Sequence, residues 1–149
     1  ILLLFGAGMA LAQGFDSSGL AIWIGNQLTY LSDVPLVILL LILIASVNFL
    51  TEVTSNMATT AMLLPILVSL AVVLDLHPYY LLVSATLAAS CAFMLPVATP
   101  PNTVVFGSGL LKIEDMFKKR LWLNLISIIT LTFTIYYVLP YFWDLVTPL

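Results

Sequence analysis

Charge is what this sequence has least of. With 4 Lys or Arg and 7 Asp or Glu in 149 residues, only 7% of the chain is charged, against roughly a quarter in soluble domains. Together with 62% hydrophobic residues and a mean hydropathy of +1.19, that scarcity excludes an ordinary soluble domain and predicts a membrane protein. A net charge of -3 with so few bases excludes a nucleic-acid partner, which would need a basic face. The one cysteine, Cys91, excludes an intrachain disulfide and reads as a buried apolar thiol. The one histidine, His77, has no second histidine to form a metal pair and reads as a solvated loop residue beside Pro78. The chain opens ILLLFGAGMA without an initiator Met or a basic flank, so it does not show the pattern of a signal peptide and reads as a piece of something longer.

What is present in quantity is apolar sequence. The runs at 34–50, 61–76, 79–98 and 121–142 are each near the ~20 residues that cross a hydrocarbon core of about 30 Å, which predicts an all-α polytopic membrane protein, one domain of five or six short helices. Residues 1–33 read as a transmembrane segment that loosens at Gly6, Gly8 and Gly14. A short helix follows, with Asp16 or Ser17 as N-cap and Leu20, Trp23, Ile24 and Leu28 on one face. All four bases, Lys112, Lys118, Lys119 and Arg120, fall in the connector 111–120, LKIEDMFKKR, which the positive-inside rule puts in the cytoplasm. The last helix, 121–143, then runs outward to an aromatic belt of Tyr136, Tyr137, Tyr141, Phe142 and Trp143. Working back from it, Asp75 and His77 are external. Residues 34–76 go in and return, turning at TEVTSN, a turn with no Lys or Arg. A re-entrant hairpin with its polar tip at 51–57 inside the protein accounts for that turn better than a cytoplasmic loop.

The tip and a second irregular stretch carry the chemistry. Ser55 or Asn56 can cap a helix starting near Met57. In 78–110 a helix is expected to break at 97–102, where Pro100 and Pro101 remove two amide donors and Thr99 or Asn102 can cap the resumed helix. Pairs of interrupted apolar helices are the sequence pointer to a secondary transporter's binding site: a helix N-terminus offers unpaired N–H groups and a partial positive charge to an anion, and unwound carbonyls and Asn or Thr oxygens suit a small hard cation. Neither segment has a Lys, Arg or His, so a dianion held there calls for co-bound cations. Thr59 and Thr60 are expected to bond back to their own helix. Glu52, an ionisable residue at membrane depth, is either functional or a structural hydrogen-bond acceptor.

At these motifs, TEVTSNMATTAMLLPI and SCAFMLPVATPPNTVVFGSG, the sequence resembles the divalent anion:sodium symporter family of sodium-coupled di- and tricarboxylate transporters, over nearly the whole chain but only the C-terminal of that family's two inverted repeats. The resemblance implies sodium held by the Thr51 side chain, the Thr54 carbonyl, Asn56 and the Ala98 carbonyl. It implies a substrate carboxylate held by Ser55, Asn56 and Thr99, with Met57 at the tip and the Pro100 region as a wall. It further implies an elevator-like motion of a transport domain in a lipid bilayer, a homodimer, an N-terminal half as intramolecular partner, and a bacterial inner (plasma) membrane. Met57 stands where the family's Ser-Asn-Thr has a hydroxyl, which removes one hydrogen bond worth about 0.5–1.5 kcal/mol and leaves substrate preference open. Alternatives are a sodium-independent dicarboxylate exchanger (antiport), a carrier of another oxyanion, and a non-transporting or enzymatic membrane subunit. The last lacks the paired catalytic groups that an intramembrane protease needs, and an enzyme is not expected.

Overall fold

The computed structural model describes residues 34–96, 98–109 and 113–143, with isolated positions before residue 34. The expectations for 1–33 therefore lie almost wholly outside the described residues. All regular structure among the described residues is helical: α1 Leu36–Leu50, α2 Asn56–Val73, α3 Pro78–Ser90, α4 Pro100–Gly107, α5 Ile113–Phe133, a π-helical turn Thr134–Val138, and α6 Leu139–Trp143. The helices α2 and the continuous stretch Phe117–Trp143 are long and apolar enough to cross a membrane. With 15 and 13 residues, α1 and α3 are about 22 and 20 Å long, too short to cross a core of about 30 Å alone.

Proline sets three of the starts. Pro35 is the N-cap of α1, Pro78 opens α3, and Pro100 and Pro101 open α4, positions where the missing N–H would be unpaired anyway. His77 lies in the turn before α3, partly open to solvent as expected from sequence, and serves there as the N-cap of α3, its Nδ1 accepting from the Tyr79 amide at 3.4 Å. At the end of α2, Asp75 takes φ 52°, and the Leu76 amide returns to the Ala71 carbonyl at 2.9 Å. This is a left-handed C-terminal cap made with aspartate in place of glycine.

Helix α3 lies against both α1 and α2, and α1 packs also on α5. The buried face of α3 is Leu81, Ser84, Ala85, Ala88 and Ala89; four of these are small, so neighbouring backbones approach closely, which is how helices associate where lipid is as apolar as leucine. Leu39, Leu40, Ile44 and Val47 of α1, Leu67 and Ala71 of α2, Ile128 of α5 and Ile135 of the π turn complete the core. Outside it, α5 presents Ile126, Ile129 and Phe133 at 57, 65 and 60% exposure, an apolar face suited to lipid or to further protein. The stretch read as connector is helical from Ile113 onward, and Arg120 is half-buried while Lys118 and Lys119 are exposed. The rings of Tyr79 and Trp143 meet at 5.5 Å, so the start of α3 and the aromatic end of α6 share one end of the fold.

Candidate functional site

The helical ladder stops at Ser90 and resumes at Pro100, six residues earlier than the break expected at 97–102. The amides of Phe93, Met94 and Leu95, which a continued helix would give to the carbonyls of Ala89, Ser90 and Cys91, go to a side chain instead. Pro96 has no amide to donate and disfavours helical geometry at Leu95, whereas Pro100 and Pro101 start the next helix. Unwinding exposes backbone groups at depth, and each must find a partner.

Glu52 supplies the acceptors. Its side chain is 4% exposed. Oε1 accepts from the amides of Phe93 (2.8 Å) and Met94 (2.9 Å) and from Asn124 Nδ2 (2.8 Å), while Oε2 accepts from Met94 (3.0 Å) and Leu95 (2.9 Å). Three successive amides thus converge on one carboxylate, a backbone nest for an anion. Of the two readings of Glu52, the structural acceptor is the one realised. The carbonyl side is met by donors: Asn48 Nδ2 reaches the Cys91 carbonyl at 2.8 Å, and Asn102 Nδ2 faces those of Ala92, Phe93 and Leu95 at 3.3, 3.4 and 3.1 Å. Arg120 Nη1 donates to the Phe93 carbonyl at 3.1 Å and to Asn102 Oδ1 at 2.6 Å. Asn102 is therefore not a helix cap but a brace across the loop. Cys91 is half-buried, and its carbonyl, not its thiol, does the bonding.

At the hairpin tip Thr51, 0% exposed, places Oγ1 2.5 Å from Asn56 Oδ1 and 3.1 Å from the Ala89 carbonyl. Three neutral oxygens are gathered at the end of α3. Ser55 has the extended backbone of an N-cap but makes no cap bond. Thr60 bonds back to the Asn56 carbonyl at 2.8 Å, as expected; Thr59 does not, pairing instead with Thr54 Oγ1 at 2.6 Å. Beside this group lies a cleft of about 290 Å³ lined by Asn56, Met57, Thr60, Ala61, Leu64, Thr86 and Ser90. Pro65 deprives the Ala61 carbonyl of its helical donor, leaving an extra acceptor on that wall.

The structure brings Thr51 and Asn56 together and puts Asn56 and Met57 on the cleft. Among the described residues no hydrogen bond joins the tip to Ala98, Thr99 or Pro100: the Ala98 amide bonds Leu95 at 3.2 Å and the Thr99 carbonyl accepts from Thr103 at 3.2 Å, and none of the three lines the cleft. The backbone carbonyl that reaches Thr51 is that of Ala89. Thr54 Oγ1 donates to the Leu50 carbonyl at 2.8 Å.

A family model described as the sodium:sulfate symporter transmembrane region matches residues 1–147. The chain belongs to that family. Symporter-family relatives include the sodium-dependent dicarboxylate transporter SdcS of Staphylococcus saprophyticus, 47% identical over 140 residues, and SdcS of Staphylococcus aureus (strain USA300), 49% identical over 140 residues. In each case 94% of this chain and 27% of the relative are covered. The chain thus spans about a quarter of the length of these relatives. The family is one of membrane transporters, not of enzymes.

Five residues of this site escaped the reading of the motifs: Asn48, Asn124, Arg120 as a brace, and the Thr86/Ser90 pair. Asparagines alone in apolar runs were a usable signal, because a buried amide needs a partner. The two hydroxyls of Thr86 and Ser90, one helical turn apart and each bonded back to its own helix at 2.8 and 3.1 Å, gave none.

Proposed function

We propose that the transporter to which this chain contributes carries dicarboxylates such as succinate across the bacterial plasma membrane in symport with sodium, the ion being cargo bound at the hairpin tip. The observation that carries the proposal is the neutral oxygen set of Thr51, Asn56 and Ala89 beside the cleft. Sodium there takes lone pairs of Thr51 Oγ1 and Asn56 Oδ1, and the Thr51 hydroxyl hydrogen then turns wholly to the Ala89 carbonyl. With Oδ1 engaged, Asn56 Nδ2 is left to donate to a carboxylate in the cleft. One amide thereby touches ion and anion at once, and the ion's charge offsets the cost of desolvating a dianion. Ser55, Met57, Thr99 and Pro100 complete the carboxylate site, and the carbonyls of Thr54 and Ala98 the ion's shell, once the N-terminal half is assembled. That half, an elevator-like displacement of the hairpin and broken helix, and a homodimer belong to the same reading, which the resemblance and the SdcS relatives support.

The test is uptake of labelled succinate by the full-length protein in proteoliposomes, with and without an inward sodium gradient. Uptake driven by sodium is the expected result. Uptake only against internal dicarboxylate replaces symport with exchange, transport of another oxyanion alone replaces the substrate, and no transport in any mode overturns the proposal.

A further inference from the structure

Among the described residues two buried amide oxygens on different helices have no partner: Asn48 Oδ1 on α1 and Asn124 Oδ1 on α5, both side chains being 0% exposed. Flipping the carboxamides does not help. Asn48 Nδ2 donates to the Cys91 carbonyl at 2.8 Å, and exchanging its nitrogen for oxygen would set acceptor against acceptor. Asn124 Nδ2 donates to Glu52 Oε1 at 2.8 Å, and the exchange there would set oxygen against a carboxylate. Both orientations are therefore fixed by neighbours.

Register brings the two together. Asn48 and Glu52 are one turn apart on the α1 side, Asn124 and Ser127 one turn apart on α5. The links across are Asn124 to Glu52 and Asn48 Nδ2 to Ser127 Oγ at 3.5 Å. Ser127 gives its own proton to the Asn124 carbonyl at 2.8 Å, so a lone pair remains beyond the one that faces Asn48 Nδ2. What this seam has left to offer is oxygen lone pairs. Glu52, which borders it, is bonded to the neutral amides of Phe93, Met94, Leu95 and Asn124. A water could donate to the two amide oxygens but would not balance a buried carboxylate; a cation does both, and neutral oxygens suit a hard one.

We infer that the seam between α1 and α5 binds a small monovalent cation, sodium, through Asn48 Oδ1, Asn124 Oδ1 and Ser127 Oγ, behind the tip site and separate from it. The choice of sodium rests on the symport reading. Bordered by Glu52, this ion steadies the carboxylate that holds residues 93–95, and so links ion binding to the shape of the broken helix.

The experiment uses the full-length protein, Ser127→Ala and Asn48→Leu. Ser127→Ala keeps the amide donor bonds to the Cys91 carbonyl and to Glu52 and gives up only the long one from Asn48 at 3.5 Å, so its melting temperature in choline is expected to match wild type, which separates ligand loss from misfolding. In proteoliposomes the ratio of sodium to succinate carried is expected to fall by a single ion in each variant. Half-saturating sodium is expected to rise about tenfold, equivalent to about 1.4 kcal/mol. Unchanged ratio and half-saturation in both variants overturn the inference and leave the seam to water. If wild type moves no succinate with sodium, the symport reading fails by itself. The seam is then read from the sodium-dependent rise in melting temperature, where a smaller rise in Ser127→Ala upholds the site and an equal one refutes it.

Discussion

Replacing Glu52 with glutamine keeps the shape of the side chain and reverses the polarity of one end. In the better of its two orientations the retained oxygen still serves Phe93, Met94 and Asn124. The new NH₂ then stands where Oε2 accepted from Met94 at 3.0 Å and Leu95 at 2.9 Å. The Leu95 amide is left facing a donor, which costs about 1–3 kcal/mol, and the three surviving bonds drop from the charged class, about 1.5–3 kcal/mol each, to the neutral class, about 0.5–1.5. Because the lost interactions overlap, the net is about 3–5 kcal/mol, the range for breaking a buried charged contact. Thermal and denaturant unfolding of the purified full-length protein in detergent reads the stability, and sodium-driven succinate uptake reads the consequence for the site. Glu52→Asp, which keeps the charge on a shorter arm, is expected to fall between. A Glu52→Gln protein within about 0.5 kcal/mol of wild type, with full uptake, would refute the claim that this carboxylate holds the unwound segment.

Asn56→Ala is expected to abolish sodium-dependent succinate binding, while Thr60→Ala, whose hydroxyl is occupied with the Asn56 carbonyl, changes it by no more than about twofold; isothermal titration with and without sodium compares them. Asn102→Ala removes donors to three carbonyls and the acceptor of Arg120, a loss of about 2–4 kcal/mol. Arg120→Met acts in the same direction, and because the two share one network, the double variant is expected to cost less than the sum in unfolding measurements. Asp75→Gly relieves a non-glycine residue at φ 52° and is expected to raise stability by up to about 1 kcal/mol, seen as a small increase in melting temperature.

The membrane class, the helical architecture and the two polar interruptions were legible in the residues, because hydropathy and proline act locally and at every occurrence. Thr60's bond to its own helix was legible for the same reason. The break's position was not. Three prolines compete in LPVATPPN, and the two at 100–101 turn out to be compatible with a helix start, while Pro96, closer to the end of α3, is the one inside the unwound stretch. The connector is itself helical from Ile113, because Lys, Arg and Glu extend a helix readily, and its clustered charges gave no sign of that.

By itself, then, the sequence determined that the chain is made of apolar helices, where their continuity is threatened, and that Thr51 and Asn56 stand five positions apart at a turn. Only the tertiary structure decided that the Ala89 carbonyl joins their group, and that Glu52, Asn102 and Arg120 close around residues 92–95. Partners such as Glu52 and Asn124 lie 72 residues apart, and nothing in the spacing of a sequence encodes such a meeting. It follows from how α1 packs against α3 and α5, and from the requirement that every backbone group exposed at membrane depth be satisfied by protein.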